Sequence, residues 1–89
     1  MKTEKQEPII WESTNGISMQ EFFADAKDMR LDYVIYVIDA SGELNSVWAC
    51  IKEDFNECMF TLSNKCYFGR VQSLAMALQY GFFDEVKDN

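Results

Sequence analysis

The run "DYVIYVID" (residues 32–39), followed after Ala40-Ser41-Gly42-Glu43 by "LNSVWACI" (residues 44–51), most limits what this chain can fold into. β-Branched and aromatic residues crowd both runs, and such side chains favour a pleated surface packed on at least one side. A short glycine-containing turn joins them, which predicts a β-hairpin. Turning about Ser41-Gly42, the hairpin places Tyr33, Ile35 and Val37 with Trp48 on the face expected to lie under helices. The opposite face collects Val34, Tyr36, Val47 and Ala49, joined by Met59, and is too apolar for open water. It needs cover from the "PIIW" segment, from the "FFDEV" tail, or from a partner, a second copy of the chain included.

Ahead of the hairpin stands the clearest helix signal. Ser18 and Glu21 have capping-box spacing, and Ile17 and Phe22 flank them as a hydrophobic staple would. Met19, Phe22, Phe23, Ala26 and Met29 follow at helical spacing, so a helix ending near Leu31 buries one stripe. "PIIWEST", closed by Asn15-Gly16, reads as an edge strand or extended arm. After the hairpin, residues 52–56 read as a polar turn and "ECMFTLS" as a third strand that pairs Cys58 with Cys50. Val71, Leu74, Ala75 and Leu78 stand at i, i+3, i+4 and i+7, with Gly81 as the stop, and predict a second helix. The expected fold is α+β in two layers: an antiparallel sheet of three to four strands with two helices on one face. Its order is strand–helix–strand–strand–strand–helix. Residues 1–7 form a polar leader and residues 8–89 a single domain, which suits an 89-residue chain that is 48% apolar. The helix–three strands–helix order resembles a double-stranded-RNA-binding domain. At the start of the second helix, where such domains carry a lysine cluster, Gly69-Arg70-Val71-Gln72-Ser73 supplies only one base, so that function is not expected here.

No reaction is spelled out. The chain has three cysteines and no histidine. A zinc site needs a close cysteine knuckle or histidine partners, redox exchange needs C-x-x-C, and a nucleophilic thiol needs a base beside it. Cys50, Cys58 and Cys66, eight residues apart, offer none of these and read as core thiols. Gly42, Gly69 and Gly81 are isolated, so no phosphate loop is present. The expectation is no enzyme, no catalytic residue, no metal and no cofactor.

Charge is the other strong feature. Fifteen acids against eight bases give a net charge of −7, which disfavours direct nucleic-acid binding. Without an apolar run near the roughly 20 residues of a membrane span, or an export signal, the chain reads as cytoplasmic. Glu21, Asp25, Asp28 and Asp32 fall on one stripe of the first helix, and Glu43, Glu53 and Asp54 add to the same sign in the turns. No Lys or Arg occurs from Leu31 through Ile51. The stripe either solvates a surface helix or steers the protein toward a basic surface. Tyr36, Val47 and Met59 on the sheet, with Gln72, Met76 and Tyr80 on the second helix, are the expected contact residues, because interface centres are poor in charge and rich in aromatics and Met. In size and charge the chain resembles small acidic proteins of phages and mobile elements, including anti-CRISPR and anti-restriction proteins. That resemblance implies a non-catalytic inhibitor of a nucleic-acid-handling complex, working in the host cytoplasm by occlusion or nucleic-acid mimicry. The alternative is an immunity protein or adaptor that binds one basic protein.

Overall fold

Strand β2 (Tyr33–Ile38) is the sheet's interior: in the computed structural model, which describes residues 7–12, 14 and 16–80, it pairs antiparallel with a neighbour on each side. One neighbour is β3 (Leu44–Cys50), its hairpin partner, and the other is β4 (Phe68–Ser73). β1 (Ile9–Trp11) pairs antiparallel with β3, so the strand order is β1-β3-β2-β4. The hairpin turn closes through Asp39, whose carboxylate accepts the amides of Ser41 and Glu43 and the Ser41 hydroxyl. Those hydrogen bonds, the Ser41 hydroxyl first, hold the Asp39 carboxyl below its ordinary pKa. Gly42, at φ 87°, supplies the left-handed residue that the turn requires.

Helix α1 (Met19–Asp28) starts where the sequence predicts, with both halves of the Ser18/Glu21 capping box formed. Its exit is a Schellman motif: Leu31 N–H donates to Ala26 and Arg30 N–H to Lys27, while Arg30 takes φ 61°. Helix α2 (Phe55–Asn64), entered through a 3₁₀ turn at Lys52–Asp54, ends the same way, with Tyr67 bonded to Leu62, Cys66 to Ser63, and Cys66 at φ 63°. Helix α3 (Leu74–Tyr80) is capped by the Ser73 hydroxyl, which accepts the Met76 N–H.

The fold is α+β with an antiparallel sheet, as expected, but residues 57–63 are not its third strand. A strand would bury Cys58, Phe60 and Leu62 together. Instead Cys58 and Leu62 are buried and Phe60 is 68% exposed, because Phe55, Cys58, Met59 and Leu62 follow the helical i, i+3, i+4, i+7 spacing. The missing strand is β4, made from residues assigned to a loop and to the start of the second helix. The resemblance in order to an RNA-binding domain falls with that strand. The residues proposed as the leader's first six and the tail from Gly81 lie outside the described residues, as does Asn15.

Helices cover both faces of the sheet, so the layers number three rather than two. Val34, Tyr36, Val47 and Ala49 pack with Phe22, Phe23, Ala26, Leu74 and Ala77 from α1 and α3. Ile35, Val37 and Cys50 pack with Cys58 and Leu62 from α2, and Tyr33, Trp48 and Met59 border that cluster. The two helices expected from the sequence do share one face, but it is the one assigned to outside cover. Each buried Val, Ile or Leu side chain stabilises by about 1.5–3 kcal/mol.

Gly69 lies where α2 crosses β4. A Cβ there would stand 3.0 Å from the Ile35 Cγ2 and 3.2 Å from the Met59 Cε. Overpacking of this kind costs about 1–3 kcal/mol, so Gly69→Val should lower the denaturation midpoint by an amount in that range. Gly69→Ala should cost less, because alanine regains strand propensity; urea unfolding followed by circular dichroism measures both.

Candidate interaction surfaces

On α1, Glu21, Asp25 and Asp28 are all exposed. At 100° per residue they fall within a sector of about 60°, spaced about 4.5–6 Å along the axis. Their helix is fixed by a capping box at one end and a Schellman motif at the other, so the carboxylates project from a backbone with little freedom to fray. No ion pair to these three is present among the described residues. Glu21 also holds the Ser18 N–H through its carboxylate at 3.1 Å.

Asp32 does not extend this row, because the helix has already ended. It sits at the sheet's end as a joint: its N–H donates to the Cys50 carbonyl, its carbonyl accepts from Leu74, and its carboxylate accepts the Lys52 N–H at 2.8 Å. Glu43 and Glu53 are exposed at two separate turns. Asp54 is buried at the entry to α2 and does not belong to an acidic exterior.

The expected apolar anchors divide in the same way. Tyr36, Val47 and Gln72 are core residues, Tyr36 only 1% exposed. The Tyr36 hydroxyl donates to the Gln72 Oε1, so two residues assigned to a partner satisfy each other under α1 and α3. Met59 is half-buried against Gly69. Met76 and Tyr80 remain exposed on α3, with Leu78. The apolar exterior missed by sequence reasoning is Phe60 on α2 with Phe68 and Val71 on β4; reading α2 as a strand placed Phe60 in the core and left Phe68 and Val71 without an edge to occupy.

A cleft of about 280 Å³ opens on the opposite sheet face from α1, with Trp48, Pro8, Cys58 and Thr61 as walls and Glu7, Asp54 and Glu57 around it. Its combination of an indole wall and carboxylates suits a cationic side chain. Cys50 and Cys58 do adjoin, across β3 and α2 rather than across a hairpin. Burial first, then the neighbouring Cys58, pushes the Cys50 thiol up from its ordinary 9.0 to about 12, and burial likewise raises Cys58. Both are therefore neutral near pH 7, the wrong state for a nucleophile or metal ligand. Cys66 is exposed. Among the described residues no three Cys, Asp or Glu side chains are grouped to hold a metal ion, and no helix is long and apolar enough to cross a membrane. Comparison with family models, curated proteins and solved structures gave no match.

Two measurements check this division of residues. With a thiol-exchange reagent at pH 8, Cys66 should react promptly and Cys50 and Cys58 only on unfolding; three equally fast thiols would contradict the packing. Since the raised thiol pKa favours the neutral form in the fold, stability should be unaffected by these groups below pH 9 and fall as pH climbs toward 12. Tyr36→Phe leaves a buried Gln72 acceptor without its donor and should cost about 1–2 kcal/mol in chemical denaturation.

Proposed function

We propose that this protein is a small acidic, non-catalytic binding module that occludes a basic surface on a nucleic-acid-handling complex in the cytoplasm. The observation that carries the reading is the exposed row Glu21, Asp25 and Asp28, held on a helix capped at both ends and without ion pairs among the described residues. A rigid row of like charges raises the encounter rate with a basic groove while adding little affinity by itself. Its spacing of about 4.5–6 Å is of the same order as that of successive charges along a nucleic-acid strand, so a groove that reads phosphates can receive it. The absence of histidine and the protonated state of the two buried thiols support a role without bond chemistry. Exposed apolar side chains of α3, Met76 and Tyr80, add contact area that charge steering cannot supply.

The test is capture from the source cell followed by binding kinetics. Recovery of a nuclease or other nucleic-acid-handling complex supports the reading, whereas recovery of one basic toxin supports an immunity protein instead. Asp25→Lys with Asp28→Lys, combined with Glu21→Gln to keep the capping box, should slow association about tenfold or more at low salt and flatten its salt dependence. Unchanged association across salt would reduce the row to a solvated helix face.

A further inference from the structure

We infer that the cleft between α2 and β1 is a site for one basic side chain, whose guanidinium or ammonium group lies against the Trp48 indole. The cleft follows from the layering of the fold. Four strands about 4.8 Å apart make a sheet roughly 19 Å wide, and a helix with its side chains, about 10–12 Å across, covers little more than half of that width. Two helices, α1 and α3, share one face, whereas α2 serves the other alone. It packs on Ile35 and Val37 of β2 and crosses Gly69 of β4, so the cleft of about 280 Å³ falls on the β1–β3 side. Ile10, which pairs with Trp48 and shares that face, is 45% exposed.

The two walls narrow the ligand chemistry. On the helix side, Asp54, Glu57, Cys58 and Thr61 stand at i, i+3, i+4 and i+7; on the sheet side are Glu7, Pro8 and Trp48. Carboxylates on both walls, with no Lys or Arg among the described lining residues, disfavour an anion. A neutral apolar group would strip water from those carboxylates and return no hydrogen bond. A metal ion is no better served, because among the described residues no three Cys, Asp or Glu side chains are grouped to hold one. An organic cation answers both walls at once: the indole face is the best aromatic partner for a positive charge, and the exposed Glu7 and Glu57 supply the counter-charge without calling on the buried Asp54. The volume lies just below the range of about 300–1,000 Å³ that holds drug-sized ligands, so it suits one side chain rather than a nucleotide.

Such a side chain has two sources with the same chemistry. One is another protein. The other is this chain, whose Lys2 and Lys5 precede Glu7 in the sequence. The site is separate from the row on α1, which packs on the opposite sheet face, and does not rest on that row's target.

The probe is Nα-acetyl-arginine methylamide, added to the full chain and followed by proton–nitrogen NMR. It should move the Trp48 indole signal saturably and leave that of Trp11, whose indole N–H is held by the Ile17 carbonyl, in place. The neutral norleucine analogue should give no saturable shift. Glu57→Gln should weaken arginine binding about threefold with an unchanged circular dichroism spectrum. A chain carrying Lys2→Gln and Lys5→Gln separates the sources. If that change alone displaces the Trp48 signal and the probe then binds more tightly, the site takes the chain's own lysine; if it alters neither, the side chain comes from another molecule. The proposal is overturned if arginine leaves the Trp48 signal fixed in both chains, if norleucine binds equally well, or if Glu57→Gln does not change the affinity. Loss of salt-dependent steering by α1 would leave it standing.

Discussion

Strand β2 carries apolar side chains toward both faces of the sheet, and no single layer of helices can dry both. Val34 and Tyr36 point one way and Ile35 and Val37 the other, and all four are essentially inaccessible. The rest of the architecture answers that requirement. β3 and β4 satisfy its backbone on either side, α1 and α3 cover one face, and α2 covers the other. The Tyr36 hydroxyl, which this burial forces inward, finds Gln72 on the adjacent strand, which fixes β4 beside β2 as well as filling the core. Both sheet faces are thus consumed internally at β2, and the exposed apolar side chains of α2 and α3, Phe60, Met76, Leu78 and Tyr80, lie on helix surfaces turned away from them.

The charged exterior depends on the same scaffold through a few joints. Asp32 ties three elements at one end of the sheet, to Cys50 on β3, to Lys52 at the entry to the 3₁₀ turn, and to Leu74 at the start of α3. Arg30 and Cys66 each reverse the chain after a helix in the left-handed conformation, and in both motifs the hydrophobic contact beyond the cap, Leu31 with Ala26 and Tyr67 with Leu62, joins the core on that side. These joints hold α1 in place over the sheet, so its carboxylates form a fixed array rather than a diffuse cloud. Electrostatic steering by a fixed array is directional, which is what the proposed occlusion of a basic surface would require.

Local chemistry was legible wherever one residue's environment came from its neighbours in sequence. The capping box of Ser18 and Glu21, the hairpin about Ser41-Gly42 and the burial of Cys50 and Cys58 all follow from short-range spacing or from residue type. The row Glu21, Asp25 and Asp28 was legible for the same reason, since a helix of known start has a known outer face. Residues 55–62 carried two periodicities at once: alternation of Cys58, Phe60 and Leu62 against helical spacing of Phe55, Cys58, Met59 and Leu62. Only packing against Ile35, Val37 and Cys50 chooses between them, because the sheet face offers a stripe for a helix and has no free edge there for a strand.

By itself, then, the sequence determined an α+β chain with a central hairpin, a firmly started first helix, reduced-type buried thiols and a one-signed exterior, since these need only propensity, spacing and charge. Tertiary structure decided which sheet face each helix covers, that Tyr36, Val47, Gln72 and Asp54 turn inward, that Asp32 is a joint, and that β4 pairs beside β2. The physical reason is that burial belongs to a pair of surfaces. A strand apolar on both faces states how much cover it needs, but which segment supplies that cover is settled only when the segments compete for the same space.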